Sequence, residues 1–165
     1  MTQTITNARP YEANLDPESP NRNLTPLTTS LDADDRLIVG DCLLSDLAQR
    51  YGTPLYVLDE QTLRSTCRAY RDALKRHYPG PSLPIYASKA NSSLVMSSLV
   101  ASEGLGLDAV SAGELLTALR GGMPGDRMVL HGNNKSDEEL LLAYNNNVTV
   151  VVDNQHDLDR LSALI

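Results

Sequence analysis

Three side chains in this sequence join a reactive group to a position that could use it: Lys89, Asp108 and His131. Lys89 closes the run Pro84-Ile85-Tyr86-Ala87-Ser88. An amine held among apolar walls and helix N-termini is desolvated, which lowers its pKa toward a nucleophile able to form Schiff bases with carbonyls. The plain alternative is a solvated lysine in a loop, since lysines are mostly exposed. Asp108 lies inside Gly106-Leu107-Asp108-Ala109-Val110-Ser111. A carboxylate in a buried strand needs a partner, so it points into an open mouth or pairs with a cation, in the plainest case only to order the fold. His131 opens His131-Gly132-Asn133-Asn134-Lys135-Ser136 and could stack on, or hydrogen-bond to, a planar cofactor. A satisfied structural histidine answers the same pattern. Glu114 is better explained by helix capping than by catalysis.

Other chemistry finds no motif. There is no GxxxxGK[ST] loop, HExxH or CxxC, and no metal-ligand set stands out. Gly104-Leu105-Gly106 precedes a strand instead of following one, so it is not a dinucleotide fingerprint. Cys42 and Cys67 are too few for a disulfide framework; each lies in a helix-like stretch and reads as a buried free thiol. Asp32, Asp34 and Asp35 read as a solvated acidic face. Asn23-Leu24-Thr25 matches a glycosylation sequon, which means nothing without secretion. A net charge of -7, with no Trp and no Phe, leaves neither a basic patch nor a stacking platform for nucleic acid, and no attraction to an anionic membrane. No window is apolar for long enough to cross a bilayer, and no signal peptide is visible, so the expected location is the cytoplasm.

The elements that must position these residues follow from length and periodicity. At 165 residues, 41% hydrophobic and 21% charged, the chain reads as a globular protein able to bury a core. Residues 1–31 are rich in Thr, Asn, Pro and Ser, hold four of the nine prolines and lack apolar periodicity; they read as a flexible extension. Residues 32–60 form a lead-in. It has a short strand at Leu37–Val39, a helix on Leu43, Leu44, Leu47 and Tyr51 stopped by Gly52, and a β-prone run at 55–58. Residues 61–165 carry the repeat. Asp59 caps a helix with an apolar face of Leu63, Cys67, Tyr70 and Leu74, and Pro79, Gly80, Pro81 and Pro84 force a loop. Strands then start near Ile85, Gly106, Arg127 and Val148, each 21 residues after the last. Helices follow at 92–103, 112–120, 137–145 and 155–165, two of them opening on capping boxes, Ser111…Glu114 and Ser136…Glu139. Repeated βα units make a parallel sheet, and an even repeat favours a (β/α)8 barrel over a doubly wound sheet. The expected fold is therefore α/β, a partial (β/α)8 TIM barrel of about four βα units where eight close it. Lys89 and His131 fall at C-terminal strand ends and Asp108 just inside one, on the face where such barrels keep their active sites.

Five segments, in order, also carry a resemblance: YGTPLYVLDE (51–60), IYASKANS (85–92), GLDAVSAGEL (106–115), HGNNKSDEEL (131–140) and, more weakly, VVVDN (150–154). From about Gly40 to Ile165 the sequence resembles the N-terminal half of the diaminopimelate branch of the decarboxylases dependent on pyridoxal 5'-phosphate (PLP), enzymes of the alanine-racemase-like fold. The resemblance implies that Lys89, matching the lysine of the YAxKAN motif, forms the Schiff base with PLP, and that Asp108 and His131 line the cofactor pocket. It implies a lyase acting on a small amino-acid substrate, turning meso-diaminopimelate into L-lysine in lysine biosynthesis, with full-length relatives acting as homodimers. Residues 55–58 would join a second, β-rich domain. Relatives take a phosphate loop, the glutamate facing the pyridine nitrogen and most substrate contacts from later in the chain. These 165 residues alone are thus expected to be inactive, and poorly soluble, molten or self-associated. The alternatives are an arginine- or ornithine-type decarboxylase of the same superfamily, a lysine-dependent aldolase barrel, and a silent PLP-binding module.

Overall fold

The structure, a computed structural model, describes residues 24–165 together with the short strand β1 (Arg9–Pro10). By backbone packing the chain divides into two units, Met1–Thr66 and Cys67–Ile165. No helix among the described residues is long and apolar enough to cross a membrane.

The first unit is an antiparallel meander of β1, β2 (Ser30–Leu31), β3 (Leu37–Val39) and β4 (Cys42–Leu43), paired in chain order. Asp32 makes the β2–β3 turn. Its carboxylate accepts from the backbone N–H of Asp34 and Arg36, both at 2.9 Å, and from the Arg36 guanidinium. The Arg36 N–H first, with the guanidinium behind it, holds the Asp32 carboxyl below its ordinary value. Gly40 and Asp41 make the β3–β4 turn, both at positive φ (56° and 61°), as a two-residue hairpin of matching twist requires. Helix α1 (Leu44–Tyr51) follows and stops where the Gly52 N–H reaches the Ala48 carbonyl at 2.8 Å.

Four expectations need correction in this unit. Most of the expected extension, residues 1–31, lies outside the described residues, but its last part is built into the meander, with Leu31 buried. Threonine hydroxyls order it alongside the burial of Leu31. The Leu27 N–H donates to the Thr62 hydroxyl at 2.8 Å, and the Gly40 N–H to the Thr28 hydroxyl at 2.9 Å. Asp32 is buried in its turn and is no solvated face. Cys42 is an exposed strand residue, not a buried helical thiol. Residues 55–58 form no strand: among the described residues no neighbour pairs with them, and Tyr56 is 98% exposed.

Helix α2 (Glu60–His77) starts on Asp59, whose carboxylate accepts from the Thr62 N–H at 3.1 Å and from its hydroxyl. Cys67 is buried on it, while Tyr70, expected on the apolar face, is exposed. In the second unit Arg68 grips both oxygens of the buried Glu103 carboxylate, at 2.8 and 2.9 Å, and Arg71 donates to the Glu103 carbonyl. The fork geometry of the guanidinium satisfies a carboxylate that would otherwise be costly to bury.

The second unit repeats strand and helix four times: β5 (Ile85–Ala87) and α3 (Leu94–Ser102), β6 (Gly106–Ala109) and α4 (Ala112–Arg120), β7 (Met128–Leu130) and α5 (Asp137–Asn145), β8 (Thr149–Val150) and α6 (Gln155–Leu164). The strands pair in parallel in the order β5-β6-β7-β8. That order never reverses, which is the pattern of a barrel and not of a doubly wound sheet. The fold is α/β, with four βα units of a partial barrel. Alternation along each strand decides its core. Leu107, Ala109, Met128 and Leu130 point to one face and are buried, against helices that contribute Val100, Leu115 and Leu140. The other face carries Ile85, Ala87, Asp108, Val129 and Thr149 in register, and none of these is fully buried.

Candidate active site

Lys89 lies in a single 3-10 turn, Ser88–Ala90, between the end of β5 and α3. The turn is braced from β5 by Tyr86, whose hydroxyl donates to the Asn91 carbonyl at 3.2 Å; burial pushes the Tyr86 phenol above its ordinary value. Beyond it the Asn91 amide oxygen accepts from the Ser93 N–H at 3.0 Å, and Ser93 caps α3. Lys89 itself is exposed and makes no ion pair or side-chain hydrogen bond among the described residues. Among the described residues no apolar enclosure of the kind expected surrounds it. Its neighbour Ser88 is the reverse case: its hydroxyl is buried and without a partner among the described residues.

Asp108 and His131 do come together. Ala87, Asp108 and Val129 are in register across β5, β6 and β7. His131 is two residues past Val129, so the two-residue period of a strand returns its side chain to the face of Asp108. Its backbone is fixed there by an N–H bond to the Ala109 carbonyl at 2.8 Å. The side chains meet between His131 Nδ1 and Asp108 Oδ1. With the carboxylate as acceptor, the imidazole donates through Nδ1–H. The chain then leaves β7 through Gly132 at φ 96°, where an added Cβ would stand 3.1 Å from the Val110 carbonyl oxygen; the left-handed turn and the close approach both call for glycine.

The helix starts around this rim are capped. Ser111 accepts from the Glu114 N–H at 3.3 Å, but Glu114 reaches back to the Val110 N–H at 2.6 Å, so the expected box is displaced by one residue. The box at Ser136 and Glu139 is closed, and Glu139 also accepts from the Ala112 N–H at 2.9 Å, tying the start of α4 to that of α5. Sequence reasoning missed one pair altogether. Lys135, in the loop after β7, donates to Asp157 at the start of α6 over 2.9 Å, and both side chains are buried. A lysine in a polar loop gives no signal of burial, and Asp157, three residues after the capping Asn154, reads as an ordinary first-turn acid.

The rim therefore offers an accessible amine just past β5 and an imidazole just past β7 that meets a carboxylate of β6, all at the C-terminal edge of three adjacent strands. This donor set suits a planar aldehyde cofactor: an amine to hold the carbonyl carbon, and an oriented ring to lie against or bond to the plane. Comparison with known proteins agrees with the chemistry. Residues 60–165 match the family model described as pyridoxal-dependent decarboxylase, pyridoxal binding domain. Diaminopimelate decarboxylase of Synechocystis sp. is 43% identical over 154 residues, covering 88% of this chain and 33% of that protein. The enzyme of the same name from Bacillus subtilis is 44% identical over 124 residues, 72% of this chain and 27% of that protein. The crystal structure of diaminopimelate decarboxylase from M. jannaschii in co-complex with L-lysine superposes with a TM-score of 0.77 at 32% identity, over 83% of this chain and 32% of that one. The chain thus spans about a third of the length of the relatives it matches. The cofactor of this family is pyridoxal phosphate. On the match over residues 60–165, the chain belongs to the pyridoxal-dependent decarboxylases, within their pyridoxal binding domain.

Proposed function

We propose that residues 61–165 hold pyridoxal phosphate through the Lys89 amine, with Asp108 and His131 lining the pocket, as part of a lyase that converts meso-diaminopimelate into L-lysine. One observation carries the reading: Lys89 follows the C-terminal end of β5, and the joined Asp108 and His131 come from the adjacent strands β6 and β7 at the same edge, in a chain of this family. The bound cofactor supplies an electron sink for the pair left behind when the substrate carboxylate departs as carbon dioxide. Lys89 would hold the cofactor at its carbonyl carbon, and its Nζ would also be placed to move protons at the reacting carbon. Asp108 holds His131 through Nδ1, so that the imidazole would present a single orientation to the cofactor. The substrate assignment rests on the relatives named diaminopimelate decarboxylase, at 43% and 44% identity. Cytoplasmic location suits the exposed free thiol of Cys42. A homodimer rests on the family resemblance.

Reductive trapping tests this reading, and the chain makes the test sharp because its only lysines are Lys75, Lys89 and Lys135. Lys135 is buried in an ion pair, and Lys75 on α2 is exposed and serves as an internal control. Borohydride added with pyridoxal phosphate should fix one pyridoxyl group on Lys89, and Lys89→Ala should lose it. Modification of Lys75 as fast as Lys89 would sink the cofactor assignment. The substrate is tested on a chain extended to the length of the relatives, which should release carbon dioxide from meso-diaminopimelate and not from ornithine or arginine; equal release from either of these would overturn the substrate.

A further inference from the structure

Lys135 and Asp157 are the most deeply buried charges among the described residues, with side chains 2% and 1% exposed and Nζ 2.9 Å from Oδ2. Two charges withdrawn from water repay little net stability, and a well-packed apolar pair would hold the same space as well or better. What an ion pair adds is direction, since the ammonium must meet the carboxylate. Here the direction fixes a loop. Asp157 sits in the first turn of α6, its own N–H held by the Asn154 side chain at 2.8 Å. One turn on, Arg160 donates to the Lys135 carbonyl and, through Nε at 2.9 Å, to the Asp137 carboxylate. So α6 grips residues 135–137, the far end of the loop that begins at His131. The near end is pinned by the His131 N–H on Ala109. Between the two ends lie Gly132 at φ 96° and Asn134 at φ 54°, left-handed positions that these two residue types adopt readily, so the loop's placement depends on its anchored ends.

We propose that Lys135 is a positioning residue: its buried bond to Asp157, with Arg160, clamps the loop His131–Ser136 to α6 and so keeps the His131 imidazole on Asp108. The proposal rests on the reading of His131 as a pocket residue. It makes the fourth βα unit a support for the third, although no residue of α6 need touch cofactor or substrate.

The readout is the Nδ1–H proton of His131, which a bond to a carboxylate shifts downfield and protects from exchange with water. His77, His131 and His156 are the only histidines, so assignment by NMR is direct. The resonance should be present in the chain as it stands and lost in Asp108→Ala. It should also be lost in the double variant Lys135→Met with Asp157→Leu, which removes both charges and keeps the space apolar, while Lys135→Arg retains it. A folded double variant that keeps the protected proton overturns the proposal. Should the double variant not fold, Arg160→Gln removes the grip from the outside of α6. It should speed exchange of the same proton about tenfold by local opening, and unchanged exchange overturns the proposal equally. Trapping at Lys89 reads the cofactor assignment separately. Trapping absent with the clamp intact removes the pocket reading; trapping present with the His131 proton indifferent to Lys135 removes the clamp.

Discussion

At the scale of the residue, exposure separates groups that chemistry can reach from groups that only hold shape. Lys89 is reachable, and Lys135, the same side chain, is not. The difference is invisible in the sequence around them, since both follow short polar or small-residue stretches after a strand. Asp157 is where the buried pair becomes measurable. The hydrogen bond from Lys135, then the charge of the same group, holds its carboxyl below the ordinary 3.8 against the opposing pull of burial. On acidification the folded chain therefore takes up this proton later than the unfolded chain does. The stability it contributes is whole above 3.8 and drains away as pH falls through the lowered folded value. Asp157→Asn keeps the shape and removes the titration. Thermal melts should show the variant well below the parent at neutral pH, with the gap narrowing in acid. A gap of constant size from neutral to acid would mean that the pair is not ionised in the folded chain.

At the scale of the element, the sequence is legible wherever structure is decided within one turn or one strand. Helices α4 and α5 have the bounds that their caps and periodicity predict, because Ser111 and Ser136 satisfy N–H groups only three residues ahead. Ser136→Ala should therefore cost about 1 kcal/mol, read as a lower denaturant midpoint at unchanged slope. A neutral effect would mean that Glu139, which still accepts from the Ser136 N–H at 2.9 Å, carries the cap alone. The strand ends bearing Lys89, Asp108 and His131 were legible for the same reason: a repeat of 21 residues fixes where each strand stops. What the sequence does not carry is the identity of distant partners. Residues 55–58 have the composition of a strand, but a strand exists only beside another, and none among the described residues pairs with them. Residues 24–31 have no apolar period, yet they are ordered by threonine hydroxyls reaching backbone as far away as Thr62 is from Leu27. Neither bond leaves a periodic trace.

At the scale of the whole molecule, the parallel sheet has one finished face and one open one. Burial of Leu107, Met128 and Leu130 under the helices supplies the core that holds the four units together. The opposite face, with Ile85 of β5 44% exposed and Val129 of β7 half-buried, leaves apolar surface in contact with water between two strand edges, β5 and β8. Parallel sheets are stable with both faces covered, and an uncovered apolar face beside free edges is the usual source of association. The chain in solution should therefore sediment as a concentration-dependent mixture of monomer and larger species. Ile85→Thr together with Val129→Thr should shift it toward monomer without lowering the melting temperature, because both positions lie on the open face and remove little from the core. Leu130→Ala, on the covered face, should do the opposite: about 2–5 kcal/mol of lost stability and no gain in monomer. If the two threonine substitutions lower stability as much as Leu130→Ala does, the inner face is packed in solution, and the driving force for association lies elsewhere on the chain.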